Sequence, residues 1–417
     1  MRGMIRALSV ILLLNGCAST LYNVPDSATD PQVYGSIYPY YLEFCALSEI
    51  KKLPGTAVDI EGGGPGGHSV LYLNGVCKLA GAGYPVVEVC PGIPSPDQGV
   101  GLSVNAHYQN ANWIVTEGRD FFFHGDLAPG EPLTLASYAR TQKRAQAMGV
   151  LDGVQFHASA MREKPASMSA RDYQYEVSVA TDYAIAFGRD RYCARLPVDR
   201  ARMEGVVAYL NGVNAPYRRE ERRFEWDILR DNCAHLTHNA LAIVGVWWNW
   251  PTKRALLVAA FDFPVPKNEF VNLMRRTNDL PIDQPAKLYD DDELRTALLE
   301  QDWIPTRPGA LAEAERAIPV NALYETRLRL IFYDEAIFGR YQQHFEAIFT
   351  DPRYTDLHTN LAYFAMLYDR ILASRPATAT KAGEPGREAF DALYYDHIAH
   401  ERASLEAIRA KLARITG

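Results

Sequence analysis

Between Thr56 and Glu117 the chain carries short runs of β-branched and aromatic residues, SVLYL, PVVEV, LSVNAHY and NWIVTE, each closed by Gly, Pro, Asn or Asp. Runs of that length and type predict strands separated by turns. Helical spacing follows at 131–150 (EPLTLASYARTQKRAQAMGV), then two further strands are expected around Tyr175 to Ala180 and Asp190 to Leu196. A helix near Pro197 to Gly212 and another opening at Asp231 complete the pattern. Strands and helices mix without strict alternation, which predicts an α+β domain over 51–252 rather than a doubly wound sheet.

The final third changes period. Leu330, Tyr333, Ile337, Tyr341, Phe345 and Ile348 recur at helical spacing, and so do Leu357, Leu361, Phe364, Tyr368 and Ile371. Past the Pro/Ala/Thr/Gly stretch 376–386, Phe390, Tyr394, Ile398, Leu405, Ile408, Leu412 and Ile415 predict a long closing helix. The expectation for 253–417 is an all-helical module of about three helices whose aromatic stripes form core.

A chain of 417 residues that is 48% hydrophobic and 22% charged has the composition of a globular protein, excluding collagenous, disordered and polytopic membrane classes. Its 43 Lys and Arg against 50 Asp and Glu give a net charge of -7, and no basic run is present to follow a phosphate backbone. Nucleic acid is therefore not an expected partner.

The N-terminus reads MRGMIRALSVILLLNGC: Arg2 and Arg6 precede an apolar run from Ala7 to Leu14. That run is too short for a spanning helix, which needs about 20 residues, and fits the core of an export signal. Leu14, Asn15, Gly16 and Cys17 resemble the bacterial lipobox, although Asn15 departs from the commoner small residue. The resemblance implies that residues 1–16 are a signal peptide and that Cys17 is acylated with palmitate-like chains, making the membrane a partner. Residues 17–50 would be the tether, since Ser19 to Gln32 is polar and carries Pro25 and Pro31. Ala18 stands where an Asp would signal inner-membrane retention, so the resemblance implies the outer membrane, facing the periplasm.

Export places Cys45, Cys77, Cys90, Cys193 and Cys233 in an oxidising compartment, where an odd number leaves at least one thiol outside any bridge within the chain. If Cys233 is that thiol, four cysteines remain for two bridges. Cys77 and Cys90, with 12 residues between them across an expected hairpin, are the best single pairing.

The strongest chemical signal is FEWDILRDNCAHLTHNALA, residues 224–242. Asp231 or Asn232 can cap a helix whose first turn holds Cys233. Unpaired N–H groups and the positive helix end there stabilise a thiolate, lowering its pKa below the ~8.5 of a free thiol. A cysteine at such a place is also commonly a buried apolar residue or half of a disulfide. A thiolate nucleophile needs an imidazole, and His68, placed by EGGGPGGHSVLYL at the mouth of a strand behind a Gly-rich loop, is the best placed.

A histidine strand preceding an Asn-Cys helix resembles the circularly permuted branch of the papain-like superfamily. Asp231 to His235 resemble the Asn-Cys-Glu-His-Phe box of the lecithin retinol acyltransferase family, with Ala234 in place of the acidic residue. The wider pattern is similar to the Lnb N-terminal periplasmic domain-like family over about residues 55–250. Gly67 and His68 match its Gly-His pair, Tyr175 to Leu196 its later strands, and Asn232 and Cys233 its terminal motif. The resemblance implies an antiparallel sheet plus a Cys-bearing helix, with Cys233 as nucleophile and His68 as general base and later acid. The Cys233 backbone N–H would supply an oxyanion hole. Glu88 and Asn105 are candidates for orienting the imidazole, though strand alternation alone explains either as an outward-facing residue.

Other signals carry less. His235 and His238 stand at i, i+3 with no further ligand at metal spacing, so no metal is expected. GGGPGG lacks the Gly-Lys-Ser/Thr of a phosphate loop, and no cofactor is expected. Trp247, Trp248 and Trp250 fit either a lipid-facing surface or packing at the helix end. The functional expectation is an envelope lipoprotein acting by thiol-dependent hydrolysis or acyl transfer on an amide or ester. The rival is a scaffold or binding lipoprotein that keeps the fold without the chemistry, whose features would be Ala234 and the undefined third residue.

Overall fold

All seven residues of β1 (Tyr41–Leu47), YLEFCAL, are buried in the computed structural model, which describes residues 29–54, 67–252, 255, 265–326, 341–375 and 386–417. β1 pairs antiparallel with β2 (His68–Asn74) on one side and with β7 (Arg191–Pro197) on the other. Beyond β2 lie β5 (Gly99–Ser103) and β6 (Ile114–Glu117); beyond β7 lies β8 (Leu311–Glu315). The result is a six-stranded antiparallel sheet in the order β6-β5-β2-β1-β7-β8. β3 (Val76–Lys78) and β4 (Val87–Val89) form a separate hairpin joined by the Cys77–Cys90 disulfide. Cys45 and Cys193, opposite each other on β1 and β7, form the second bridge.

Successive residues of a strand face opposite sides, and here both sides are covered. Leu42, Phe44 and Ala46 join Leu71 and Leu73 in a core that includes residues of α5 (Arg200–Arg218), α6 (Cys233–Ile243), α7 (Pro266–Asn278) and α9 (Tyr341–Thr350). Tyr41, Cys45 and Leu47 join Val70 and Tyr72 in a second core with α1 (Pro31–Ile37), α2 (Arg119–His124), α8 (Asp292–Gln301), α10 (Leu357–Ala373) and α11 (Arg387–Thr416). Two more helices, α3 (Leu135–Ala147) and α4 (Ala170–Ser178), contribute Tyr138, Ala145, Tyr173, Tyr175 and Val177 to the first core.

Glu43 sits on the second face with no exposed surface, bound by Arg119 through Nε (3.0 Å) and Nη2 (2.8 Å) and by Arg195 Nε at 3.3 Å. Glu313 of β8 closes the group by pairing with both guanidiniums. Burial would raise the Glu43 carboxyl, yet Arg119 and Arg195 hold it down at about 2. A buried charge persists only when paired in this way.

The structure corrects three expectations. The tether over 17–50 ends early: helix α1 begins at Pro31 and β1 is a central strand. YLEFCAL shows no polar/apolar alternation because both of its faces are covered. Tyr175 to Ser178 are helical rather than extended, because Ser169 caps α4 by accepting from Asp172 N, and Tyr173, Tyr175 and Val177 all join the first core. The chain past 253 is not all-helical: β8 pairs with β7 and completes the sheet. Residues 1–16, Cys17, the tether up to residue 28 and the glycines at 62–66 lie outside the described residues. No helix among the described residues is long and apolar enough to cross a membrane.

Candidate active site

Asn232 determines where α6 begins. Its backbone is extended, and its Oδ1 accepts from the N–H groups of Ala234 (2.9 Å) and His235 (3.2 Å), satisfying two donors that the first helical turn leaves free. Its Nδ2 donates to Ile228 O at 2.6 Å, fixing the cap against the preceding loop. Cys233 is thus the first residue of the helix, buried and outside both disulfides.

Burial pushes the Cys233 thiol up, against hydrogen bonds from the Ser69 hydroxyl, the Ser69 N–H and the Ala234 N–H and against the nearby charge of Arg189. Arg189 is itself buried; its Nε donates to Ala180 O at 2.8 Å and its Nη1 to Ser48 O. Burial lowers it to about 10, opposed by Cys233 first and Asp182 second. Burial outweighs these donors, so the thiol stands above its ordinary value and not below it as the helix start predicts.

His68 opens β2 opposite Leu47. Strand alternation sends Ser69 toward α6, where its Oγ lies 3.4 Å from Thr237 Oγ1, and His68 toward the other face. There His68 Nε2 lies 3.1 Å from Ser103 Oγ, which donates to Thr181 O at 2.9 Å. Burial first, and the Arg189 charge second, lower His68 to about 3. The described structure contains no hydrogen bond between His68 and Cys233; the residue of β2 that meets the thiol is Ser69.

Asn105 lies just past β5. Its Nδ2 donates to Asp182 Oδ2 at 2.9 Å and its Oδ1 accepts from His107 N at 3.0 Å, so it orients Asp182 rather than an imidazole. Asp182 is buried; burial raises its carboxyl, opposed by the nearby hydroxyl of Tyr108 and by the hydrogen bond from Asn105. Ser103 contacts both His68 and the carbonyl of Thr181, the residue before Asp182. Asp182 and Arg189 are the members of this site that sequence reasoning missed: Thr181-Asp182 has the composition of an ordinary turn, and Arg189 precedes a strand with no motif around it. Glu88 stands exposed on β4 opposite Cys77, away from these residues.

His238 is sandwiched between Trp247 and Trp250 at 4.5 and 4.3 Å, with Nδ1 2.7 Å from Glu269 Oε2 and Nε2 3.0 Å from Trp248 O. Both nitrogens are engaged, which leaves none for a metal; His235 Nδ1 lies 3.1 Å from Asn232 Oδ1. Trp247 and Trp250 pack at the helix end, while Trp248 is exposed. Glu43, Cys45 and Cys193 bring ligand-type atoms together, but both sulfurs are spent in the disulfide. Comparisons with protein-family models, curated proteins and solved structures find no match for this chain.

Proposed function

We propose that this is a bacterial envelope lipoprotein, anchored through Cys17 at the outer membrane and facing the periplasm, whose α+β domain carries out thiol-dependent hydrolysis or acyl transfer on an amide or ester. Cys233 is the nucleophile. The observation that supports this reading is the thiol itself: it stands at a capped helix start, facing the N–H groups of Ser69 and Ala234 and the charge of Arg189. Those donors would also stabilise the oxyanion that forms when the thiolate attacks a carbonyl. A similarity to the Lnb N-terminal periplasmic domain-like family, with its permuted papain-like fold, accords with the antiparallel sheet and the Cys-bearing helix.

In this reading His68, whose ring lies on the face of β2 away from the sulfur, serves as base only after the entry of β2 reorients, so the described arrangement is a resting one. The rival, a scaffold or binding lipoprotein without the chemistry, is favoured by the same contact, since His68 in its present place assists nothing. Alkylation by iodoacetamide across pH 5.5–9 separates the two. Catalysis requires that Cys233 react below the range of an ordinary thiol, and that His68→Ala slow this about tenfold or more. A wild-type rate that follows the titration of a free thiol and is indifferent to His68→Ala leaves only the scaffold.

A further inference from the structure

A cleft of about 460 Å³ lies between the end of β7, the segment 301–308 and one face of α11, and it shares no lining residue with the Cys233 site. That volume falls within the roughly 300–1,000 Å³ of small-molecule sites. Trp303, which is 1% exposed, forms a buried part of its wall. Arg202 and Arg307 stack against its indole at 4.0 and 4.4 Å. Each guanidinium is also tied to a carboxylate, Arg202 to Asp199 and Arg307 to Glu401. Stacked and paired, the two forks are held in place before any ligand arrives, which removes much of the ordering cost of binding.

The charge of the cleft selects the ligand class. Both guanidiniums are neutralised by their own carboxylates, and Asp302 adds a third acid that accepts from His397 Nδ1 at 3.3 Å. Burial lowers His397, so its ring does not offset that acid. An incoming anion would meet Asp199, Asp302 and Glu401. A neutral hydroxyl-bearing ligand meets acceptors and donors side by side, an arrangement that lets one hydroxyl donate to a carboxylate while accepting from the adjacent guanidinium. Ile408, with the edge of Tyr38, adds apolar wall for the C–H faces of such a ligand. Asp302 adopts a left-handed backbone, φ 48°, at the end of α8; its carboxylate meets His397 from a conformation that costs a non-glycine residue energy.

We propose that this cleft is a saccharide-binding site, separate from the thiol chemistry, for a neutral sugar unit seated among Asp302, His400, Glu401 and Ser404. The test is calorimetry on the full chain in a polyoxyethylene detergent, with chitobiose and cellobiose as sugar probes and inorganic phosphate as the anionic probe. At least one disaccharide is expected to bind. Asp302→Gly, which keeps the left-handed turn and removes the carboxylate, and Ser404→Ala, on the helix face, should each weaken binding about fivefold or more, with Glu88→Gln unchanged. Unaltered melting temperatures of the variants separate lost binding from lost folding. The proposal is overturned if neither disaccharide binds at about 10 mM, if phosphate binds in their place, or if sugar binding survives both substitutions.

Discussion

His68 Nε2 lies 3.1 Å from Ser103 Oγ, on the face of β2 that strand alternation turns away from Ser69 and Cys233. Neighbours in sequence thus serve opposite sides of the sheet, and Ser103 holds the ring where it is. Ser103→Ala removes this hydroxyl partner of the ring. Under the catalytic reading, alkylation of Cys233 near pH 7 should rise several-fold in Ser103→Ala and fall back in the double variant with His68→Ala. Equal rates in all three proteins would show that the Ser103 contact does not gate the thiol.

Acid should weaken the fold in a window that His68 sets. Its folded pKa is about 3, whereas an exposed histidine titrates near 6.5. The unfolded chain takes up the proton first, so this contribution to stability is complete above about pH 6.5 and lost as pH falls toward 3. The slope reaches at most about 1.4 kcal/mol per pH unit. Urea midpoints between pH 7 and pH 4 should fall in the wild type and flatten in His68→Asn.

Asn232→Ala should destabilise the protein by roughly 1–2 kcal/mol, since two buried N–H groups of α6 lose their acceptor. Asn232→Asp keeps that acceptor and should cost less. Equilibrium urea denaturation of the two variants measures the difference.

Truncating Glu43 leaves Arg119 and Arg195 buried with Glu313 as the one carboxylate between them, an excess of buried positive charge, so Glu43→Ala should cost about 3–5 kcal/mol. Because the carboxyl is held at about 2 in the folded protein, its contribution is present above about pH 4.5 and lost as pH falls through 2. The wild-type and Glu43→Gln stabilities should therefore converge on acidification, which urea midpoints at pH 6 and pH 3 would record.

The Cys45–Cys193 bridge closes 148 residues and Cys77–Cys90 closes 13. On chain entropy alone, losing the longer bridge should cost roughly 2 kcal/mol more than losing the shorter. Paired Cys→Ala variants compared in urea give that difference.

Local chemistry was legible in the sequence wherever neighbouring residues fix it. The turn-bounded runs mark β2 and β6, Asn232 marks the start of α6, and the 3.6-residue stripes mark α10 and α11, because caps and amphipathic periods are properties of a few consecutive residues. β1 was hidden for a physical reason. Covered on both faces and carrying Glu43 at its centre, it has no alternation, and its carboxylate makes sense only beside Arg119 and Arg195. Tyr175 and Val177 have strand-forming side chains, yet Ser169 and the surrounding core turn them into helix. β8 stands 114 residues beyond the end of β7, and only pairing across the sheet makes it a strand.

The site divides along the same line. The sequence by itself determined that Cys233 opens a helix behind an Asn cap and that His68 opens a strand, since capping and strand entry are local. Only the tertiary structure decided which residue of β2 the thiol meets. A one-residue step along a strand reverses the face of the side chain, so His68 faces Ser103 and Ser69 faces Cys233. The folded chain also brought Arg189, Asp182 and the cleft around Trp303 together, because burial and charge pairing depend on neighbours that are distant in sequence.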